Sequence, residues 1–333
     1  MKLMKNLHLA AATFALAMLV VIARAPARAA AEGHFDKTLT VNGPVEMDVA
    51  TGSGNINVRT GDSGKVEIHA RIHANDNWFS AGRDAESRIQ YIEQHPPVEQ
   101  NGNTITIGHE TDRDMMRNIS ISYEIVTPVQ TRLRSATGSG NQTVDGVAGP
   151  VESTTGSGDV KLSGIGNNAT ARAGSGDITL SNIKGTVHAG SGSGTIHAEG
   201  VAGAMTASTG SGDIVLSQTG SGDVEASSGS GTVEIHGVKG AVRVGTGSGS
   251  IRAQGTPTGN WLLHTGSGDL TVELPQKTSF ELYARTSSGS IDSKFPITMQ
   301  GRINPREIHG TIGIGGPTIE LRTSSGTIHI ESR

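Results

Sequence analysis

Apolar and polar residues alternate along most of this chain, on both sides of a recurring Gly-Ser-Gly motif. Small or apolar residues lie one, three and five positions before the motif, and two and four positions after it. Charged or polar residues such as Glu152, Lys161 and Arg172 occupy the positions between them. A period of two is typical of a β-strand with one buried face. Each motif is therefore predicted to separate two short strands.

The motif recurs at a nearly constant interval. Its first glycine occupies positions 138, 156, 174, 192, 210, 229, 247 and 266, with an extra copy at Gly220 about half an interval after the copy at Gly210. An interval of 18 residues, with a second corner half-way, predicts a two-strand coil that stacks in parallel on its copies about 4.8 Å apart. The predicted fold class is all-β, a parallel β-helix or β-solenoid with coils of about 18 residues. The coils are expected to follow one another from Gly138 to Ser287 in sequence order.

Composition supports a thin, regular stack. No Phe, Tyr or Trp occurs between Ala136 and Asn260, so the inward positions hold only small and aliphatic side chains. The 47 glycines cluster at the corners, where a residue without a Cβ is required. A disordered Gly/Ser tract is the alternative, and the strict alternation argues against it.

Residues 1–30 read as an export signal. Lys2 and Lys5 precede an apolar run from Leu9 to Ile22, and Ala27-Arg28-Ala29 forms a small-x-small cleavage site. Such a run is short for a membrane span, although Arg24 leaves a retained N-terminal anchor open. We therefore expect an exported protein, located in the periplasm, at the cell surface or outside the cell.

Residues 31–333 are predicted to form one continuous domain. Residues 31–136 contain the first coils, including a strand from Lys65 to His73, and an inserted capping segment at 75–118. The segment includes a predicted helix from Ala81 to Gln94, with Ala85, Ile89 and Ile92 along its apolar face. Residues 137–290 form the regular repeats, and 291–333 the last coils and a cap. Two late motif copies begin at Thr286 and Thr323, an interval close to two coils.

Charge and cysteine content exclude several classes of partner and site. Without the signal, the chain has 23 Lys and Arg against 31 Asp and Glu, a formal charge of −8. This balance argues against a nucleic-acid partner, which requires a basic face. Because there is no cysteine, disulfides and thiolate metal sites are excluded. The oligomeric state stays open.

The repeats resemble a bacterial family of exported β-strand-repeat proteins, a domain of unknown function whose members are described as candidate adhesins. The resemblance rests on the repeated Thr-Gly-Ser-Gly-Asp, on Gly43-Pro44-Val45 near the start, and on Gly313-Ile314-Gly315-Gly316-Pro317 near the end. It implies a right-handed parallel β-helix in the cell envelope. It implies no active-site residues and no cofactor.

Aspartates that follow the motif are the candidate metal ligands. Stacked carboxylates about 5 Å apart could share calcium. However, Asn, Ser and Thr occupy the same position in other copies, and what they share with Asp is a short oxygen that can bond the corner backbone. Turn capping is therefore preferred to calcium binding. The aspartates are Asp159, Asp177, Asp213, Asp223 and Asp269.

Two other sets of residues are candidates for metal or partner binding. Glu67, His69 and His73 share one strand face, as metal ligands could, although a solvated face is the simpler reading. The rare large aromatics Trp78, Phe79 and Trp261 are partner-binding candidates, with packing at the ends of the stack as the alternative. No cofactor and no catalytic group are predicted.

The preferred function is a non-catalytic, exported cell-envelope scaffold or adhesin that binds a glycan or another protein. The main alternative is a carbohydrate-active enzyme of the polysaccharide-lyase type, and an accessory protein of envelope-stress signalling is a third. Short regular coils are expected to leave little room for a cleft. A groove lined by at least two carboxylates and an Arg or Lys would favour the enzyme.

Overall fold

The computed structural model describes residues 31–74, 83–109, 115–299 and 304–333. Every described residue belongs to one compact unit, Ala31–Arg333. Within the described ranges there is one helix, and the rest of the regular structure is β-strand. No helix in these ranges is long and apolar enough to cross a membrane.

The strands are numbered in chain order. The first part of the unit contains β1 Glu32–Thr40, β2 Val45–Ser53, β3 Ile56–Gly61, β4 Lys65–Ala74, helix α1 Arg83–Gln94, β5 Val98–Asn101, β6 Thr104–Ile107, β7 Ile119–Pro128, β8 Thr131–Ser139 and β9 Gln142–Asp145. The repeats follow as β10 Val151–Ser157, β11 Val160–Ser163, β12 Ala169–Ala173, β13 Ile178–Ser181, β14 Val187–Ser191, β15 Ile196–Val201, β16 Met205–Thr209, β17 Ile214–Gln218, β18 Val224–Ser230, β19 Val233–Val238, β20 Val242–Ser248, β21 Ile251–Gly255, β22 Trp261–Ser267 and β23 Leu270–Leu274. The last part contains β24 Phe280–Ser288, β25 Ile291–Ser293, β26 Thr298–Met299, β27 Glu307–Ile312, β28 Thr318–Ser325 and β29 Ile328–Ser332.

These strands form two large sheets. Sheet A has the order β1-β4-β7-β3-β9-β11-β13-β15-β17-β19-β21-β23-β29-β25. Sheet B has the order β26-β27-β24-β28-β22-β20-β18-β16-β14-β12-β10-β8-β2-β6-β5. The two strands on either side of a regular motif lie in different sheets, as β10 and β11 do, so the chain passes from sheet B to sheet A at each such corner.

Neighbouring repeat strands are parallel and in register. Val151 of β10 faces Ala169 of β12, 18 positions later, and Met205 of β16 faces Val224 of β18, 19 positions later. The alternating residues of both sheets point into one core of valine, isoleucine, leucine and alanine. The predicted mostly β architecture with two largely parallel sheets is confirmed.

In most copies of the motif the residue before the first glycine is a threonine or a serine that points inward and has a polar partner. The Thr155 hydroxyl donates to the carbonyl oxygen of Gly140 at 3.0 Å, and the Thr209 hydroxyl to that of Gly194 at 2.9 Å. The same bond recurs along the stack from Thr137 to Thr323. A buried carbonyl without a partner is costly, so this hydroxyl explains why an oxygen-bearing residue recurs at a buried position.

The N-terminal end departs from the predicted parallel stack. Strand β4, expected to stack in parallel, instead pairs antiparallel with both β1 and β7. Helix α1 lies against β1 and β4 and buries Ala85, Ile89 and Ile92, the face predicted from the sequence. The Glu93 carboxylate accepts a hydrogen bond from the backbone N–H of His34 in β1 at 2.9 Å. The helix therefore satisfies part of a sheet edge that would otherwise be open.

The C-terminal end departs from sequence order. Strands β28 and β29 lie between the coil of β22 and β23 and the coil of β24 and β25. Ser325 is paired with Ser267 on one side and with Ser288 on the other. The expectation of sequential stacking with a two-coil interval between the last motifs is therefore wrong here. A later segment occupies the space between two earlier coils.

The extra motif copy at Gly220 occupies the opposite corner. The backbone N–H of Met205 donates a hydrogen bond to the carbonyl oxygen of Asp223, which shows that Asp223 is stacked on Ala204. Gly222 accordingly lies against Gly203 and Ala204 and has a φ of +153°. This placement explains the half-interval in the sequence, since one coil carries the motif at both corners.

Tyr123 of β7 has an unsatisfied hydroxyl in the core near this N-terminal end. The residue is fully buried, and its hydroxyl has no hydrogen-bond partner among the described residues. Burial raises the pKa of Tyr123 above its ordinary value of about 10. The hydroxyl therefore lowers the free energy of unfolding at every pH, and its ionisation in the folded state would lower it further.

Tyr123→Phe is expected to raise the free energy of unfolding by about 1 kcal/mol, because it removes a buried polar atom that lacks a partner. The wild-type chain should also lose stability above about pH 10, where the unfolded tyrosine releases its proton and the folded one keeps it. Denaturant unfolding at pH 7 and pH 11 measures both effects. Tyr91→Phe, at a half-exposed site, should change neither; a loss of stability in Tyr123→Phe would show that the hydroxyl has a stabilising partner.

Candidate functional site

An outer groove on sheet B is the first candidate site among the described residues. It has a volume of about 450 Å³ and crosses strands β6, β2, β8, β10 and β12. We call it the mixed-charge groove. Its lining residues are Glu46, Met47, Asp48, Thr104, Thr106, Arg132, Leu133, Arg134, Pro150, Val151, Glu152, Asn168 and Thr170.

Strand alternation produces the walls of the groove. In β2 and β8 the central residues Met47 and Leu133 are buried, so the residues on either side of them point outward. The outward residues form two rows that run across the strands, and the backbone at the buried positions forms the floor. A ligand in this groove would therefore lie along the stack, across five strands, over about 19 Å.

Charges in the groove are sorted by strand. Strand β2 presents Glu46 and Asp48 on its outer face, and its neighbour β8 presents Arg132 and Arg134. An acidic strand therefore lies directly beside a basic strand. The register pairs Glu46 with Arg132, and Asp48 with Arg134. The next strand contributes Glu152, which is paired with Arg134.

Only some of these charges are satisfied within the protein. The Glu152 carboxylate contacts the guanidinium of Arg134 at 3.8 Å and that of Arg172 at 3.3 Å. Asp48 contacts the ring of His109 at 3.1 Å. Within the described ranges, the side chains of Glu46 and Arg132 form no ion pair or hydrogen bond, and both are exposed. These two groups are therefore free for a ligand.

A second groove lies on the outer face of sheet A, at the other end of the repeats. It has a volume of about 400 Å³ and is lined by residues of β19, β21, β23 and β29, including Glu234, Arg252, Glu331 and His329. Arg252 is held by Glu273 at 2.8 Å. Because its one arginine is already paired, this groove is less suited to capturing a charged ligand than the mixed-charge groove.

The family model Toastrack DUF4097 matches residues 45–331. This chain belongs to the toastrack family. The match includes every residue that lines the mixed-charge groove.

Solved structures similar to this toastrack chain come from bacteria. A candidate adhesin from Bacteroides fragilis has 14% identity and a TM-score of 0.32, and the match covers 90% of this chain and 97% of that one. A candidate adhesin from Parabacteroides distasonis has 11% identity and a TM-score of 0.32, with 90% and 97% covered. A candidate cell adhesion protein from Clostridium sporogenes has 12% identity and a TM-score of 0.23, with 91% and 100% covered. No curated protein matches the chain.

The aspartates predicted as calcium or turn ligands connect successive coils. The Asp159 carboxylate accepts a hydrogen bond from the backbone N–H of Asp177 at 3.0 Å, and Asp177 accepts one from Thr195 at 2.8 Å. Asp213 and Asp269 bond the next coil in the same way. The short oxygen therefore bonds backbone, as the turn-capping interpretation required, but its partner lies on the neighbouring coil rather than in its own turn.

Asp223 does not belong to this row. It lies at the opposite corner, where its carboxylate accepts a hydrogen bond from the N–H of Ala241 at 2.9 Å. Asp223 therefore belongs to a separate row, because the Gly220 motif occupies the second corner. Asn168 and Asn260 form the same kind of bond in that second row.

Asp177→Ala is expected to lower the free energy of unfolding by about 1 kcal/mol, because the N–H of Thr195 loses its acceptor. Asp177→Asn should keep most of the stability, since the amide oxygen can accept the same bond. Melting curves with calcium and with a chelator complete the test. If the asparagine variant behaves like alanine and the chelator lowers the melting temperature, then calcium and not hydrogen bonding holds this row.

The other predicted site residues fall into different places. Trp261 is completely buried in β22, and its indole N–H donates to the carbonyl of Gly240 at 3.1 Å, so a partner-binding role for Trp261 is wrong. Trp78 and Phe79 lie outside the described residues.

Glu67, His69 and His73 do not converge on one site. His69 contacts Asp36 at 2.7 Å, whereas His73 lies 3.7 Å from Glu32. Glu67 pairs with Lys65 at 2.7 Å. Among the described residues no group of three or more His, Asp and Glu side chains is placed to hold a metal ion.

The groove residues were not singled out from the sequence. The signal was present as Glu-Met-Asp in β2 and Arg-Leu-Arg in β8, two like charges on the outward positions of one strand. Like charges that share a strand face need compensation from a neighbouring strand. The sequence alone does not say which strand that neighbour is. The expectation that short regular coils leave little room for a cleft does not hold at this end of the stack, where the groove has a volume of about 450 Å³.

Proposed function

We propose that this toastrack protein is an exported, non-catalytic cell-envelope protein that binds a surface glycan or an envelope protein through the mixed-charge groove. The scaffold would be a right-handed solenoid with 18-residue coils, and export would follow from the signal-like residues 1–30. One observation carries the proposal. The side chains of Glu46 and Arg132 have no partner among the described residues, and they lie in a groove long enough for an extended ligand. Unpaired charges in a concave site are kept by function more readily than by stability.

Arg132→Gln is expected to weaken binding of the chain to its envelope ligand about tenfold, because a guanidinium that binds an anionic or hydroxyl group is lost. Residues 31–333, which form one compact unit, would be titrated against a panel of envelope polysaccharides and against whole bacterial cells. Lys161→Gln removes an exposed charge from sheet A and is the matched control. Equal binding by both variants would place the binding surface outside the groove.

A carbohydrate-cleaving enzyme is the second candidate, because the groove meets the criterion of at least two carboxylates and an arginine. Glu46, Asp48 and Glu152 could serve as acid and base, and Arg132 could hold a uronate. Product release assayed in the same titrations separates the two functions. Turnover that is lost in Glu46→Gln or Asp48→Asn would establish the enzyme, and binding without turnover would establish the adhesin or scaffold.

A further inference from the structure

The layout of the mixed-charge groove indicates the chemical class of its ligand, an inference that rests on the proposed function. Glu46 and Arg132 lie opposite each other in the register of two adjacent parallel strands. Both side chains are exposed, and neither forms an ion pair or a hydrogen bond within the described ranges. Adjacent strands are about 4.8 Å apart. The groove therefore offers a free anion and a free cation on adjacent strands, whose backbones are about 4.8 Å apart along its axis.

A ligand with one sign of charge does not fit this arrangement. A polyanion would be attracted by Arg132 but would be repelled by the like charges of Glu46 and Asp48 on the neighbouring strand. A polycation would meet Arg132 and Arg134 in the same way. The charge order along the groove thus selects against uniformly charged polymers.

A neutral glycan also fits poorly. Among the described residues no aromatic side chain lines the groove, so they do not supply the stacking that commonly holds neutral sugar rings. A neutral ligand would also cover Glu46 and Arg132 without giving either an opposite charge, which costs desolvation energy.

An extended peptide is disfavoured by the floor of the groove. The backbone of β2 is paired with β6 and with β8, and that of β8 with β2 and with β10, so no strand edge is open for a peptide to extend the sheet. Beyond the charged levels, the groove walls carry Thr104, Thr106, Thr170 and Asn168. Hydroxyl and amide groups at both ends suit a polyhydroxylated chain.

We propose that the mixed-charge groove binds a zwitterionic glycan, in which a free amino sugar and an acidic sugar are neighbours. The ammonium group would contact Glu46, and the carboxylate or phosphate would contact Arg132. The hydroxyls of the flanking sugars would hydrogen-bond the threonine and asparagine side chains at the two ends. Specificity would come from the order and spacing of the two charges.

The test uses residues 31–333 and three tetrasaccharides in calorimetric titrations. The first alternates glucosamine and glucuronic acid, the second is its N-acetylated form without the cation, and the third is its carboxyl-reduced form without the anion. The zwitterion is expected to bind at least about tenfold more tightly than either derivative. Glu46→Gln should abolish the preference over the N-acetylated form, and Arg132→Gln the preference over the carboxyl-reduced form, while Lys161→Gln keeps both.

Two results would overturn the inference. If N-acetylation leaves the affinity unchanged, the groove does not read the ammonium group, although loss of binding in Arg132→Gln would still support the proposed function. If a peptide of alternating Lys and Glu binds as tightly as the zwitterionic tetrasaccharide, the ligand class is wrong. Binding of all three sugars that is insensitive to both groove variants would contradict the zwitterion and the groove together.

Discussion

Gly176→Ala is expected to lower the free energy of unfolding by about 3 kcal/mol or more, which makes it one of the most damaging single changes in the repeats. A Cβ at this position would overlap the carbonyl oxygen of Gly158 on the neighbouring coil, at well below the 3.0 Å that is the practical minimum distance between a Cβ and another heavy atom. The obstacle is backbone of a paired strand, which cannot rotate away as a side chain can. Relief requires the two coils to separate, with loss of ladder hydrogen bonds and core contact.

Gly52→Ala is the matched control. Gly52 is the first glycine of a motif, like those at the crowded corners, but no described residue lies within 4 Å of an added Cβ there. Neither Gly52 nor Gly176 has a positive φ, so backbone strain does not distinguish them. Gly52→Ala should therefore be neutral or slightly stabilising, because alanine reduces the freedom of the unfolded chain.

Guanidinium unfolding of both glycine variants, together with the yield of soluble protein, measures the contrast. Because coils contact only their neighbours, a clash at Gly176 should also broaden the transition as the two sides of the stack unfold separately. Similar stability for Gly176→Ala and Gly52→Ala would mean that the coils are not stacked at the described distance.

The paired substitutions Ser267→Cys and Ser325→Cys are expected to form a disulfide spontaneously and to stabilise the chain by up to about 4 kcal/mol. The two serines face each other on adjacent parallel strands, β22 and β28. The resulting Cα separation of about 4.8 Å lies within the range that a disulfide spans. The closed loop contains nearly 60 residues, and the chain-entropy model gives the stated upper value for such a loop.

The control pair is Ser267→Cys with Ser288→Cys. Strand β28 lies between these two residues, which places them about two strand spacings apart, beyond the reach of a disulfide. The chain has no other cysteine, so no competing pairing complicates the result. Mass spectrometry and non-reducing electrophoresis measure both pairs. Coils stacked in sequence order would reverse the outcome, with a disulfide in the control pair and none in the first.

The position of the groove relates to the irregular end of the stack. From β12 to β20 the strands of sheet B carry at most one charged residue each on the outward face, such as Glu225 or Arg243, and the other outward residues are mostly small. At the N-terminal end the outward positions hold long charged side chains on β2, β8 and β10, and these build walls. The proposed binding site thus lies where the chain interrupts its own repetition.

The buried threonine row and the outward aspartate row have separate structural tasks. The threonine hydroxyls satisfy the carbonyls of the corner glycines from inside the core, as Thr155 does for Gly140. The aspartate and asparagine oxygens satisfy the following coil's N–H groups from outside, as Asp159 does for Asp177. The Thr-Gly-Ser-Gly-Asp motif is therefore explained by stacking alone, and the groove supplies the functional hypothesis.

The sequence by itself determined the class of fold. Period-two alternation and the 18-residue interval are local properties, and they predicted short strands, two sheets and parallel stacking because burial of every second residue leaves few other arrangements. The small inward residues predicted the thin core, and Ala85, Ile89 and Ile92 predicted the buried face of the one described helix.

Only the tertiary structure decided which coils are neighbours. Similar strands can pair with one another in many orders, so the sequence could not reveal that β28 and β29 lie between earlier coils, or that β4 is antiparallel. The groove depends on the same information, because Glu46 and Arg132 are 86 positions apart and meet only through the pairing of β2 with β8. Alternation fixes which way a side chain points, whereas the partner that it meets depends on long-range strand order.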